Sequence, residues 1–422
     1  MSQTLSVPEG YKLTEVGVIP GDWEVRPLLD VSTIKTGIAK NSNISVSDPV
    51  SVHYLRVANV QDGFLNLSEM SEIQVSRADL KRYAVLPGDV LMNEGGDLDK
   101  LGRGAMWRGE FSPCIHQNHV FVVRCDSTLS PEYLNTWTGT AAARRYFMVA
   151  GKQTTNLASI NKTALGKLPV ALPPSAEQRA IATALSDVDA LLAKLDQLIA
   201  KKLGLKQAAM QQLLTGQTRL PGFSGEWEVK RLGDLGRFLK GSGVKKDEAK
   251  SGDLPCIRYG EIYTHHNDHI RSYNTWISAP IAATATPLKY GDVLFAGSGE
   301  TKEDIGKCVA FADKVEAYAG GDIVILRANN ANAMFLGYYC NTAPINTQKA
   351  SRGQGDAVVH ISATALSTIE VTIPGIEEQT AIATILSDMD AELAVLQARR
   401  DKTRALKLGM MQALLTGRIR LV

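Results

Sequence analysis

The chain has 422 residues, 44% of them apolar and 21% charged, and its 46 basic side chains against 44 acidic ones leave a formal net charge of +2. That length suits two or three globular domains, and so small a charge means that any nucleic-acid surface must be clustered or shared with a partner. The opening MSQTLSVPEGYKLTEVG lacks a basic stretch leading into an apolar one, no apolar run approaches a bilayer span, and Cys114, Cys125, Cys256, Cys308 and Cys340 are scattered without C-x-x-C spacing; a cytoplasmic protein with no secretory leader, no membrane span, no disulfide framework and no zinc site is expected.

In chain order, HYLRVANV (from His53), DVLMN (from Asp89) and HVFVVR (from His119) read as short strands, rich in β-branched residues. NEGGDLDKLGRG connects two of them as a glycine-rich loop. PPSAEQ then opens a long helix, with Ser175 as N-cap and Gln178 three positions on as a capping box. Leu185, Val188, Leu192, Leu195 and Ile199 follow at 3–4–3–4 spacing, the narrow seam of a coiled coil, and Gly216 is placed to stop the helix. CIRYGEIY (from Cys256), DVLFAG (from Asp292) and DIVILR (from Asp322) are strands again, separated by KGSGVKK, GSGETKEDIG and SRGQGDA. A second long helix carries Leu386, Met389, Leu393 and Leu396 at the same spacing, starts from Gly375 because Ile376 stands where the serine was, and stops at Gly417.

The second helix repeats the first. A shift of 201 residues lays Ile160–Leu220 on Ile361–Leu421 without a gap, with 31 identities in 61 positions. Weaker echoes precede it: WEVRPLLDV with WEVKRLGDL, LRVANV with IRYGEI, GDVLM with GDVLF. The chain is an internal duplication, and two copies with so long a period are not a solenoid. The expected fold is mixed α/β, with two globular domains separated by two long antiparallel coiled-coil helices related by a pseudo-twofold axis. The boundaries read as 1–160 and 221–361 for the globular parts, 161–220 and 362–422 for the helical ones. Each helix is about 60 Å long at ~1.5 Å per residue, and neither buries its seam alone; the alternative is that each packs on its own globular domain.

Three features of the sequence bear on chemistry. HHNDH (His265, His266, Asp268, His269) has metal-ligand residue types but no helical i, i+4 spacing, and NVQDGFLNL stands there in the first copy. Asp292, Glu300 and Lys302 loosely fit the D…E-x-K arrangement of metal-dependent nucleases, which the first copy lacks. No glycine-rich loop has the P-loop or the G-x-G-x-x-G form, and no amino-methyltransferase motif is present. No catalytic residues, metal site or cofactor are therefore expected in this chain. What remains are loops rich in residues that hold phosphates and read base edges: Lys35, Lys40, Arg56, Asn59, Lys100, Arg103, Lys152, Gln153 and Asn156 in the first copy, and Lys240, Lys245, Lys246, Arg258, Lys302, Lys307, Arg352 and Gln354 in the second. These are the candidate DNA-binding residues.

PPSAEQRAIATALSDVD and PGIEEQTAIATILSDMD, each closed by LLTG, together with LRVANVQDG, EGGDLDKLGRG and IRYGEIYT, give the chain a resemblance over essentially its full length to the specificity subunit of type I restriction–modification systems. The resemblance implies two target recognition domains, each reading one half of an asymmetric, gapped DNA target, and two helices that set the gap. It also implies two modification (methyltransferase) subunits as partners, joined by restriction subunits. S-adenosylmethionine, ATP and magnesium would then be used by the partners. Rival classes are an autonomous metal-dependent nuclease and a scaffold with no DNA role.

Overall fold

The computed structural model describes residues 7–39, 48–98, 101–153, 158–356 and 358–421. The chain divides into two compact units: Met1–Asp196 with Ala398–Val422, and Gln197–Gln397. Both cuts fall inside long helices, so each unit contains a globular part, the start of one helix and the end of the other.

The first unit is organised on a four-stranded antiparallel sheet of β1 (Ser32–Thr36), β2 (Val90–Asn93), β3 (Gly104–Met106) and β4 (Val120–Cys125), in the spatial order β1-β4-β2-β3. Its central strands are apolar on both faces because both faces are covered. Val90, Met92, Phe121 and Val123 join a core with Trp23, Tyr133, Trp137 and Phe147, whereas Leu91, Val120 and Val122 face a second cluster around Leu55 and Trp107. Full burial of each such side chain contributes about 1.5–3 kcal/mol. Beyond that second face lies a small mixed sheet, in which Val50–Leu55 runs parallel to Cys114–His116 and antiparallel to Ser71–Val75.

The long helix α1 (Ser175–Leu213) leaves the first unit, and the second unit repeats the plan. Strands β5 (Gly236–Lys240), β6 (Asp292–Ala296), β7 (Cys308–Phe311) and β8 (Ile323–Ala328) take the order β5-β8-β6-β7. The order is that of the first sheet. Val293, Phe295, Val324 and Leu326 face one core, and Leu294, Ala296, Ile323 and Ile325 the other. The smaller sheet again has a parallel pair, Leu254–Ile257 with Tyr318–Ala319.

Helix α2 (Ile376–Leu414), like α1, has 39 residues. Leu185, Leu195, Ile199, Leu386 and Leu393 are buried, and Val188, Leu192, Met389 and Leu396 half-buried. Within each unit the two helices run antiparallel. In the first, Asp189 pairs with Lys407 at 2.5 Å and Asp196 lies 3.8 Å from Arg400; in the second, Lys202 pairs with Glu392 and Lys206 with Asp390, both at 2.7 Å. A step forward on one helix is thus a step back on the other. The helix ends are also built into the domain cores, since Ile181, Leu185 and Leu414 belong to the first and Leu213, Ile382 and Leu386 to the second. Gly216 and Gly417 stop the helices at φ +69° each.

One local expectation is corrected. Helix α1 begins at Ser175, and Gln178 is no partner in a capping box. Its buried amide accepts from the Ser130 N–H and donates to the Thr128 and Pro173 carbonyls, all at 2.9 Å. Gln379 accepts from Asn332 N–H at 2.9 Å and donates to Pro374 O at 2.8 Å. These glutamines clamp the helix start to the globular part by pairing with its part-buried backbone groups.

Candidate nucleic-acid interface

In each unit the polar loops gather at one end of the four-stranded sheet, and backbone hydrogen bonds tie them together. In the first unit Gly95–Gly96, just beyond β2, pairs with Ala158–Ser159, which pairs in turn with Lys152–Gln153. Arg103 O accepts from Asn93 N–H at 3.0 Å, and His119 O from Glu94 N–H at 2.9 Å. The His119 loop is fastened to the segment after β1 by Asn118 N–H on Ile38 O at 3.1 Å, and to Leu55 by Gln117 N–H at 2.8 Å. The sequence therefore scatters Lys35, Arg56, Arg103, Lys152 and Gln153 over 119 positions, and the fold collects the segments that bear them.

The second unit does the same with different residues. Gly297 N–H donates to Asp322 O at 2.7 Å, Gly321 N–H to Gly243 O at 3.1 Å, and Gly320 N–H to Ile257 O at 2.9 Å. Ser298–Gly299 pairs with Val359–His360, and Gln354 N–H donates to His360 O at 2.9 Å. Lys240, Arg258 and Gln354 are brought to this end. Lys245, Lys246 and Lys302 stand exposed on its loops.

Not every candidate is free to meet a ligand. Asn59 is buried at 3% exposure, accepting from Arg56 N–H at 2.9 Å and donating to Asn66 O and Glu69 O at 2.9 and 3.1 Å. It staples its own loop. Lys307 donates to His266 O at 2.8 Å and to Tyr263 O at 3.3 Å, and burial lowers its ammonium pKa. Arg352 is laid back on Gln348 O and Thr368 Oγ1 at 2.9 and 3.0 Å. These three side chains make hydrogen bonds within the protein, which residue type and loop position do not reveal. Arg56 is half-buried and donates to Glu69 O at 3.1 Å, and Arg103 lies 3.8 Å from Asp62. Lys35 is half-buried in β1, whereas Lys152 and Gln153 are exposed. Lys40, Lys100 and Asn156 lie outside the described residues.

Asp292 and the HHNDH loop have structural jobs. Asp292 is fully buried and gripped by Arg327 through two 2.8 Å bonds, while also accepting from Lys289 N–H at 2.8 Å. Asp89 and Arg124 repeat this at 2.7 Å for each bond. In HHNDH, Asp268 accepts from Lys206 at 3.1 Å, and His269 Nε2 accepts from Arg271 at 2.9 Å. Burial pushes the pKa of both His266 and His269 down to about 4. Lys206 reaches Asp390 as well, at 2.7 Å, and Tyr338 donates to Asp390 at 2.6 Å. Burial raises Asp390, but Lys206, Tyr338 and Arg271 outweigh it and its carboxyl ends below the ordinary range. The loop thus docks the globular part onto the helices. Among the described residues no group of three or more His, Cys, Asp or Glu side chains is placed to hold a metal ion.

Residues 20–203 and again 224–402 match the family model of the type I restriction modification DNA specificity domain. The chain belongs to that family. It is a type I specificity subunit, and DNA sequence recognition is its function. It is 25% identical over 435 residues to a Methanocaldococcus jannaschii protein assigned as the type I restriction enzyme MjaX specificity subunit, with 98% of this chain and 97% of that one covered. It is 22% identical to the MjaVIII specificity subunit of the same organism, over 65% and 67%. Among solved structures, the S subunit of the type I restriction–modification system from M. genitalium superposes with a TM-score of 0.59 at 13% identity, covering 98% and 99%. A chain from a structure on complex assembly and conformational transition of the type I system gives 0.53 at 16%, covering 95% and 99%. At those identities the likeness establishes the fold. The specificity subunit works with DNA and with other components of a restriction–modification complex, and no helix among its described residues is long and apolar enough to cross a membrane.

Sequence reasoning passed over Asn118 and His119, whose signal was available in the polar run HQNH, and Glu94, which opens the glycine-rich loop after β2.

Proposed function

We propose that each unit reads one half of an asymmetric, bipartite DNA target, that the paired helices set the gap between the halves, and that the same helices dock two modification subunits. The division is 1–160 and 221–361 for recognition, 161–220 and 362–422 for spacing and docking. The observation that carries this reading is the repetition of one sheet order and one gathering of loops in both units, with different side chains on the loops: equal scaffolds suit two half-sites, and unequal loops suit an asymmetric target. Half-sites one helical turn apart lie ~34 Å from each other, within the reach of a paired helix of about 60 Å. The exposed Lys152, Gln153, Lys245, Lys246 and Lys302, with Lys35, Arg56, Arg103, Lys240, Arg258 and Gln354, are the side chains offered to DNA, and Lys40, Lys100, Asn156 and the internally bonded Asn59, Lys307 and Arg352 belong to the same proposal.

The chain itself contributes no catalysis and no cofactor. Adenine methylation with S-adenosylmethionine belongs to the modification subunits, and ATP- and magnesium-dependent cleavage to the complex with restriction subunits, all in the cytoplasm. A charge near zero fits a subunit whose partners share the phosphate contacts. The test is adenine-methylation mapping of host DNA with and without this gene. One gapped, asymmetric motif that disappears with the gene is expected; a motif with identical halves, or none in the presence of active modification subunits, would defeat the reading.

A further inference from the structure

The geometry assigns the side chains Glu94, His119 and Asn118 in the first unit to a preset relay that reads an adenine, as part of an A·T pair, in the major groove. The inference rests on the reading that these loops face DNA. His119 Nδ1 lies 2.7 Å from Glu94 Oε2, and His119 Nε2 lies 3.2 Å from Asn118 Nδ2. The carboxylate only accepts, so Nδ1 carries the proton, and in the neutral ring Nε2 presents its lone pair. Nε2 must then accept from the Asn118 amide, which fixes that amide's sense: one N–H points to the histidine, leaving the other N–H and Oδ1 as an adjacent donor and acceptor. That pair is the complement of adenine N7 and N6–H₂, the asparagine pairing that the major groove favours.

The relay is held from behind. Glu94 N–H donates to His119 O at 2.9 Å and Asn118 N–H to Ile38 O at 3.1 Å, so the backbone on both sides is fixed. His119 is exposed and Asn118 half-buried. Ordering solvent-facing side chains before a ligand arrives reduces the entropy lost on binding. Glu94 adjoins Gly95, which pairs with Ser159 opposite Lys152, so the relay is joined through the backbone to the segment that carries Lys152. At the equivalent place in the second unit Gly297 stands where Glu94 does, and its N–H donates to Asp322 O at 2.7 Å; glycine carries no carboxylate for a relay, so the two half-targets differ there.

The test uses the full complex with its own modification subunits and maps methylation on genomic DNA. Asn118→Ala should relax one A·T position in one half-target, with discrimination falling roughly 10- to 100-fold, and leave the other half unchanged. Asn118→Asp, which is the same size but only accepts, should move the preference toward C·G through cytosine N4–H₂; it keeps the question answerable if the alanine variant does not assemble. An unchanged motif in both variants, or a change at a G·C position, would overturn the relay. If Lys152→Glu and Gln153→Ala alter DNA binding while both Asn118 variants keep the motif, the relay fails alone. If those two variants and both Asn118 variants leave binding and motif intact, the DNA-facing reading fails with it.

Discussion

Arg420 holds Glu177 through two hydrogen bonds, Nε to Oε1 at 2.6 Å and Nη2 to Oε2 at 2.8 Å, across 243 residues of chain. Arg219 holds Glu378 in the same way, at 2.7 and 2.6 Å. Under the repeat, Glu177 corresponds to Glu378 and Arg219 to Arg420, so the pairing is crossed: the glutamate opening each helix is bound by the arginine that follows the other. Crossing is what antiparallel packing of a duplicated helix requires, and it makes each globular part depend on both repeats.

Arg420→Ala should therefore destabilise the first unit although Arg420 lies at the far end of the sequence. Glu177 is 1% exposed in its side chain and would keep Trp23 Nε1, at 3.1 Å, from its present partners. Leaving a buried carboxylate short of donors costs about 1–3 kcal/mol, a fall of several degrees in melting temperature. Calorimetry checks it. Arg420→Lys, which cannot form two parallel bonds to Glu177, should recover part of the loss.

Lys206 and Lys407 are repeat equivalents, as are their partners Asp390 and Asp189, yet they should respond unequally to replacement by methionine. In the second unit Lys206 and Asp390 are 13% and 8% exposed, with Asp268 also bound; in the first, Lys407 and Asp189 are 25% and 54% exposed. Lys206→Met takes the bound ammonium from buried Asp268 and one of two cations from Asp390, a loss of roughly 3 kcal/mol. Lys407→Met should cost under about 1 kcal/mol. Equal shifts in unfolding midpoint would contradict this.

The same pair marks where sequence reading succeeds and stops. The burial of Leu185, Leu195 and Ile199 was legible because 3–4 spacing places them on one face of a helix. The seam's continuation through Lys202 and Lys206, and through Arg400 and Lys407, keeps the seam spacing with charged residues, so an apolar count ends the seam early. The sheet strands were legible as apolar runs, while their order was not, since it depends on pairing over distances such as Asp292 to Arg327. Asn59 and Lys307 resemble surface residues by type and are spent internally. The Gly-rich loops were found because glycine punctuates chains, but their convergence is a property of the sheet.

Arg327→Ala should harm stability rather than any cleavage chemistry. Asp292 is 0% exposed and would lose the guanidinium that grips it, a cost of roughly 3 kcal/mol. Glu300 is exposed on a loop, and Glu300→Gln should leave the melting temperature within about a degree and the purified chain's action on DNA unchanged. Loss of a DNA-cutting activity in Glu300→Gln would revive the nuclease reading.

Stability should fall with acid before the carboxylates titrate. Burial holds His116, His266 and His269 near a pKa of about 4, against an ordinary 6.5. His116 donates from Nδ1 to Val120 O at 2.6 Å inside the first unit, and Arg271 donates to His269 in the second. Each ring is neutral when folded and takes a proton when unfolded once the pH passes below 6.5. The unfolded state thus binds more protons between pH 6.5 and 4, and stability present above that window is lost through it, at up to about 1.4 kcal/mol per pH unit for each histidine. Burial raises the carboxyls of Asp268 and Glu261, which accept protons when folded and flatten the lower end of the decline. Melting curves from pH 7.5 to 4.5 should show the fall, and His266→Gln should reduce its slope by about a third, one histidine of three. An unchanged slope in that variant would mean that His266 titrates normally and is reached by solvent.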